Sequence, residues 1–180
     1  PHEGLMFAKA IWHYARGVAF AAQGEGASAE AELAELTPLK DNVSVRFLDS
    51  RDYPGSMLVS IAIDLLRGEI AHRSGDHDGA VEHFEQAVAL QDQLPYTEPP
   101  FWYYPTRQSL GAALLAGGQA ERAEAVFRKD LELYPHNGWS MFGLAQSLEA
   151  QGKDEEAAVV KGHFETAWQF ADVTLQAAIL

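Results

Sequence analysis

The sequence predicts an all-α fold, an α-solenoid of about four helix–turn–helix units, and two observations carry the prediction. Four pairs of small residues stand seven apart: Gly17/Gly24, Gly68/Gly75, Gly111/Gly118 and Ala145/Gly152. Five residues after each pair comes an alanine, at Ala29, Ala80, Ala123 and Ala157, and in the second and third units an aromatic follows four later, at Phe84 and Phe127. A small residue in one helix, a glycine in the turn and Ala-x3-Phe in a second helix describe a repeat of about 34 residues. Such units stack on their neighbours, and the resulting arrays usually bind partners rather than transform substrates.

Taken in order, the spacing predicts helix pairs over 5–23 and 26–36, 55–74 and 77–92, 104–117 and 119–133, and 138–151 and 154–170. The repeats span 5–37, 55–92, 104–136 and 138–171, within one domain covering residues 1–180. Each turn glycine can supply the left-handed residue that ends a helix. Asp76 and Asp154 stand where N-caps belong, and Asn137 can cap the helix after Pro135. The small residue seven before each turn glycine lets the paired helices approach closely.

Two insertions, 40–54 and 93–103, interrupt the array. The first carries a brief apolar alternation (Val43, Val45, Phe47), but a lone strand without a partner is unstable, so it is read as an ordered loop. The second belongs to the run Pro95–Pro105, rich in proline and aromatics and held to an extended path by its prolines.

Composition bounds the function. Apolar residues make up 47% and charged residues 22%, as in a globular chain. With 13 Lys and Arg against 26 Asp and Glu, the net charge is −13. That balance opposes general binding to nucleic acid or to an anionic membrane surface. The absence of cysteine removes thiolate catalysis, disulfides and Cys-ligated zinc. No apolar run reaches the roughly 20 residues of a membrane span, so no membrane insertion is expected. The chain opens on Pro1 rather than Met, which places its natural start upstream and leaves a signal peptide and the compartment open.

The run Gln108-Ser-Leu-Gly-Ala-Ala-Leu-Leu, with Ala123-x3-Phe127 and Pro135, resembles a tetratricopeptide repeat, and all four units fit that family's frame. The resemblance implies a right-handed superhelical stack. Departures are visible: the signature Trp gives way to His13, Asp64, Arg107 and Met141, two normally apolar positions hold Arg16 and Arg67, and Lys161 replaces the second-helix aromatic of the last unit. The stretches Trp12–Phe20, Glu98–Pro105 and Asn137–Ala145 also look like the C-terminal region of longer, largely uncharacterised bacterial proteins of this family, many of them exported. That resemblance implies a fragment whose first helix lacks a stacking neighbour, with an apolar face (Leu5, Met6, Ala8, Ile11) suited to self-association and a homo-oligomer.

In this family the concave face is lined by set positions of each first helix. Here these include Tyr14, Glu69, His72, Gln108, Trp139, Phe142 and Gln146. They offer an apolar and aromatic surface for a protein or peptide segment, and none of the basic residues of the family's carboxylate clamp. Filling of this groove by the insertions is the other reading. Trp102, Tyr103 and Tyr104 lead straight into the helix bearing Arg107, and aromatics with Arg are enriched at binding hot spots. Against this, long ordered loops generally pack through their own side chains, with Phe101 and Trp102 stapling the loop to the second and third units.

Other chemistry is thinner. Arg16 and Arg67 need carboxylate partners, with Glu69, Asp52 and Asp64 nearby in sequence; with His72 and Glu69 they are also the candidates for a small-molecule or metal site. His72, Asp76, His77, Asp78 and His83 flank one turn, but their spacing matches no ligand motif, so no metal and no cofactor are expected. GxSxG, GxxxxGK[ST], GxGxxG and HExxH are missing. The expectation is a non-catalytic interaction or scaffold module, with self-association as an alternative.

Overall fold

The seven-residue rhythm of small residues becomes helix and turn in the computed structural model, which describes residues 5–178. Helices α1 (Met6–Ala22), α2 (Gly26–Leu36), α3 (Val43–Asp49), α4 (Gly55–Ser74) and α5 (His77–Gln91) precede α6 (Arg107–Ala116), α7 (Ala120–Leu133), α8 (Gly138–Ala150) and α9 (Asp154–Trp168). No strand occurs among the described residues. The chain divides into two compact units, residues 1–104 and 105–180.

In the first unit α1 packs on α2 and α4 on α5, and α4 also lies against α1, α2 and α3. In the second, α6, α7, α8 and α9 pack consecutively and α6 touches α8. This is the packing of a helical repeat. The turns are made as the spacing predicts: Gly24, Gly75, Gly118 and Gly152 have φ of 78°, 83°, 72° and 71°, a region that glycine enters without steric cost.

The small residues inside the helices mark close approach. A Cβ at Gly68 would stand 2.5 Å from the Phe84 ring, and one at Gly111 would stand 2.3 Å from Phe127. Gly17 differs: its neighbour is Leu66 of α4, so it fits α1 to the next helix pair rather than to its own partner α2. Ala29, Ala80, Ala123 and Ala157 are buried, as are Phe84 and Phe127. Lys161, which replaces that aromatic in α9, is exposed and pairs with Glu149.

Caps agree with two expectations and correct a third. The Asp76 carboxylate accepts from Gly79 N at 3.0 Å, and the Asn137 side chain accepts from Trp139 N at 3.1 Å. Asp154 is not a cap: it is the first residue of α9, with Lys153 before it, and it joins Glu155 and Glu156 as first-turn acids that complement the helix dipole.

The first insertion is likewise not a loop. Thr37–Asp41 forms a 3-10 turn and Val43–Asp49 is a helix capped by Asn42, whose side chain accepts from Ser44 N at 2.9 Å. Val45 is its buried anchor. The helix at 104–117 begins later than expected, at Arg107, with Thr106 at its N-cap position. The second insertion is non-helical, with a cis bond between Glu98 and Pro99.

Candidate functional site

The expected site residues divide between the two units. In the first unit, α1 carries Tyr14, whose buried ring meets Trp102 edge-on at 5.5 Å. Its hydroxyl lies 3.3 Å from the Tyr103 hydroxyl. Trp102 is only 5% exposed, whereas Tyr103 is 74% exposed. The Tyr103 ring rests against Tyr104 at 4.8 Å and Trp102 at 5.4 Å, and Gln91 Nε2 donates to the Tyr104 carbonyl at 3.0 Å. Burial raises the Tyr14 phenol well above its ordinary pKa, with Tyr104 and Tyr103 adding to the effect. The Tyr14 hydroxyl is therefore a neutral donor or acceptor at physiological pH.

The insertion thus packs onto α1 through Tyr14. It packs a second time through Phe101, whose ring meets Tyr53 edge-on at 5.3 Å, with Phe7 of α1 on Tyr53 at 5.4 Å. Within this unit the staple runs to α1 and the α3–α4 connection. Trp102 lies inside the fold, and its indole N–H is buried without a hydrogen-bond partner.

Glu69 and His72 stand on α4. Glu69 is buried and bonds Arg73 at 2.7 Å. Burial lowers the His72 pKa, with Glu69 opposing, which favours the neutral imidazole. His72 meets His77 at 6.2 Å. Arg67 pairs loosely with Asp64 at 3.7 Å. Burial raises the Asp64 pKa, with Arg67, His83 and Lys40 pulling it back. The structure does not gather Arg16, Arg67, His72 and Glu69 into one ion cluster, since Arg16, Arg67 and Glu69 have separate ion-pair partners. Among the described residues no group of three or more His, Asp or Glu is placed to hold a metal ion.

Arg16 reaches a partner that sequence proximity did not suggest. Its guanidinium bonds Glu32 of α2 at 3.0 Å and lies over the Trp12 ring at 4.3 Å. Glu32 is buried and also meets His13 Nδ1 at 2.6 Å. His13 and Arg16 thus share one carboxylate, which resolves two departures from the repeat pattern together. The signal was the pair itself: two polar residues on an apolar face require a buried acid nearby.

In the second unit, α6 carries Arg107 and the buried Gln108, and α8 carries Trp139, Phe142 and Gln146. Trp139 packs edge-on against Trp168 at 5.7 Å and Phe142 against Phe164 at 5.4 Å, while Phe164 stacks on Trp168 at 5.6 Å. These four rings make a ladder between α8 and α9, leaving Trp139, Phe142 and Gln146 half-buried. The charge of Arg107 acts on Asp130, a fully buried carboxyl on α7. Asp130 accepts from Ser140 Oγ and from Asn137 Nδ2, the latter at 3.0 Å. Burial still raises its pKa above the usual aspartate value. Sequence reasoning missed this network, in which the Arg107 charge favours the ionised Asp130 carboxylate.

Residues 109–160 match one tetratricopeptide repeat family model, and residues 62–86 match another. The chain therefore carries tetratricopeptide repeats in both units, and repeats of this family generally mediate protein–protein interaction or scaffolding without catalysis. No match was found among curated proteins or among solved structures. Among the described residues no helix is long and apolar enough to cross a membrane.

Proposed function

We propose that this tetratricopeptide-repeat protein is a non-catalytic interaction module that binds a peptide or protein segment through aromatic and polar side chains. In the first unit the binding residues are Tyr103 and Tyr104, with Tyr14 on α1 and Glu69 and His72 on α4. In the second unit they are Trp139, Phe142 and Gln146 on α8, with Arg107 and Gln108 on α6.

Tyr103 carries the proposal. An aromatic ring 74% exposed to water, yet held against Trp102 and Tyr104 and tied to the Tyr14 hydroxyl, has little freedom left to lose on binding. Rigid, exposed tyrosines are efficient interface anchors for that reason. Trp102 takes a supporting role, as the buried base that positions Tyr103.

The test is affinity capture from source-cell lysate with the parent and with Tyr103→Ala, after their melting temperatures are matched. The expected result is a partner held by the parent and lost by the variant. Identical capture by both would refute the assignment of Tyr103. A second reading, self-association through the first unit, rests on exposed apolar side chains: Leu5 just before α1, Trp12 of α1 and, one helical turn apart, Val43 and Phe47 of α3. Light scattering across a concentration series should then show mass rising with concentration, and a constant monomer mass would remove it.

A further inference from the structure

We propose that a cleft beside the α3–α4 connection receives the lysine or arginine side chain of an extended peptide, with that residue's apolar neighbour on the cleft floor. The cavity measures about 670 Å³, within the range of ligand sites. Tyr53, Pro54, Met57 and Pro95 supply apolar walls, and Asp49 and Asp52 supply its charge. The site lies wholly in the first unit and does not depend on Tyr103.

Three observations make it a receptor for a cation on an apolar stem. First, it is preformed. Tyr53 is wedged edge-on between Phe7 and Phe101, and two walls are prolines. The Asp49 carboxylate is oriented by Ser56, accepting from its N at 3.0 Å and its Oγ at 2.5 Å.

Second, the charge is unanswered. Among the described residues neither Asp49 nor Asp52 has a basic side chain within ion-pair distance. The adjacent Arg51 lies over the Phe47 ring instead, at 5.2 Å. Residues 1–104 hold 16 Asp and Glu against 7 Lys and Arg, so the surrounding field attracts cations and repels anions. A second copy of this chain, at net charge −13, is a poor occupant.

Third, apolar walls beside two carboxylates match the two halves of a basic side chain: the methylene stem lies on Met57 and the prolines, and the charged head reaches the acids. The cavity has room for more than one side chain, which fits an extended segment better than a free amine.

The test is a 1H–15N titration with three probes: Ac-Leu-Arg-Leu-NH2, Ac-Leu-Glu-Leu-NH2 and propylguanidine. The arginine peptide should give saturable shifts at the amides of residues 49–57. The glutamate peptide should give none, and the free guanidine should bind more weakly than the arginine peptide. Asp52 has φ 60°, and asparagine tolerates that left-handed conformation, so Asp52→Asn removes charge while keeping the backbone. It should weaken the arginine peptide about tenfold, the scale of one lost charge-assisted hydrogen bond. Equal shifts from the glutamate peptide, no effect of Asp52→Asn, or no saturable shift at all would overturn the proposal. Equally tight binding of propylguanidine would assign the cleft to a small cation and overturn the peptide.

Discussion

Phe127 is clamped between two glycines, and Gly143→Ala should show what that clamp is worth. A Cβ at Gly143 would stand 2.2 Å from Phe127 Cζ, and one at Gly111 would stand 2.3 Å from the same atom. Carbon atoms rest about 3.5–4.0 Å apart, so the new methyl falls short by roughly 1.3 Å. The ring is fully buried and faces helix backbone on its other side, so it has no direction in which to yield. Overpacking of this kind costs about 1–3 kcal/mol, against about 1 kcal/mol gained by replacing a helical glycine with alanine. Because the ring cannot yield, the upper end of that cost applies, and the net expectation is a loss of about 2 kcal/mol, read by urea unfolding under far-UV circular dichroism. In a Phe127→Leu background the ring tip is gone and the same change should stabilise by up to about 1 kcal/mol, a coupling of about 2–3 kcal/mol. Gly162→Ala is the control. It lies in exposed α9 with nothing within 4 Å of its Cβ position, and it should stabilise by about 0.5–1 kcal/mol. If Gly143→Ala is neutral, or acts alike in both backgrounds, the steric argument fails.

Three further outcomes follow from the same contacts. Trp102→Ala should lose about 3–5 kcal/mol by emptying a buried site, whereas Tyr103→Ala should change stability by less than about 1 kcal/mol; denaturant midpoints separate them. Asn137→Ala removes both the cap on Trp139 N and the bond to Asp130, and should cost about 1–2 kcal/mol in chemical unfolding. Glu124 is held at about 2 by the hydrogen bond from Lys153 and by Arg128 and Gln151, against a partial-burial penalty. Its folded pKa lies below the ordinary value of 4.5, so its contribution is present above that value and is lost as pH falls through about 2. After solvent screening this amounts to about 1 kcal/mol, and the melting temperature of Glu124→Gln should fall less steeply than the parent's across that interval.

The fold was legible where a local requirement dictates a residue. A turn that needs positive φ selects glycine, and a close helix approach selects a small residue, so spacing alone placed the helices. It was misread where a pattern was short. Val43, Val45 and Phe47 alternate like a strand, yet in α3 only Val45 points inward, while Val43 and Phe47 are 80% and 56% exposed. The cap at Asn42 was the available clue. The ion pairs were legible only when close in sequence, as with Asp64 and Arg67. Glu32 serves His13 and Arg16 from the next helix, at a distance along the chain that local reading does not search.

The aromatic insertion shows why the site was harder still. Sequence reasoning set core staple against binding platform as alternatives for the whole segment, because composition describes a segment as a unit. Folding assigns each side chain separately. Trp102 and Tyr103 are neighbours in a non-helical stretch, and one is buried on Tyr14 while the other stands in water. The partner that buries Trp102 lies 88 residues back, so no local signal could divide the pair. The two roles are also mechanically linked, since the buried ring anchors the backbone next to the exposed one and packs against it. Loss of binding in a Trp102 variant therefore says little about contact with a partner, whereas loss in a stable Tyr103 variant reports on it directly.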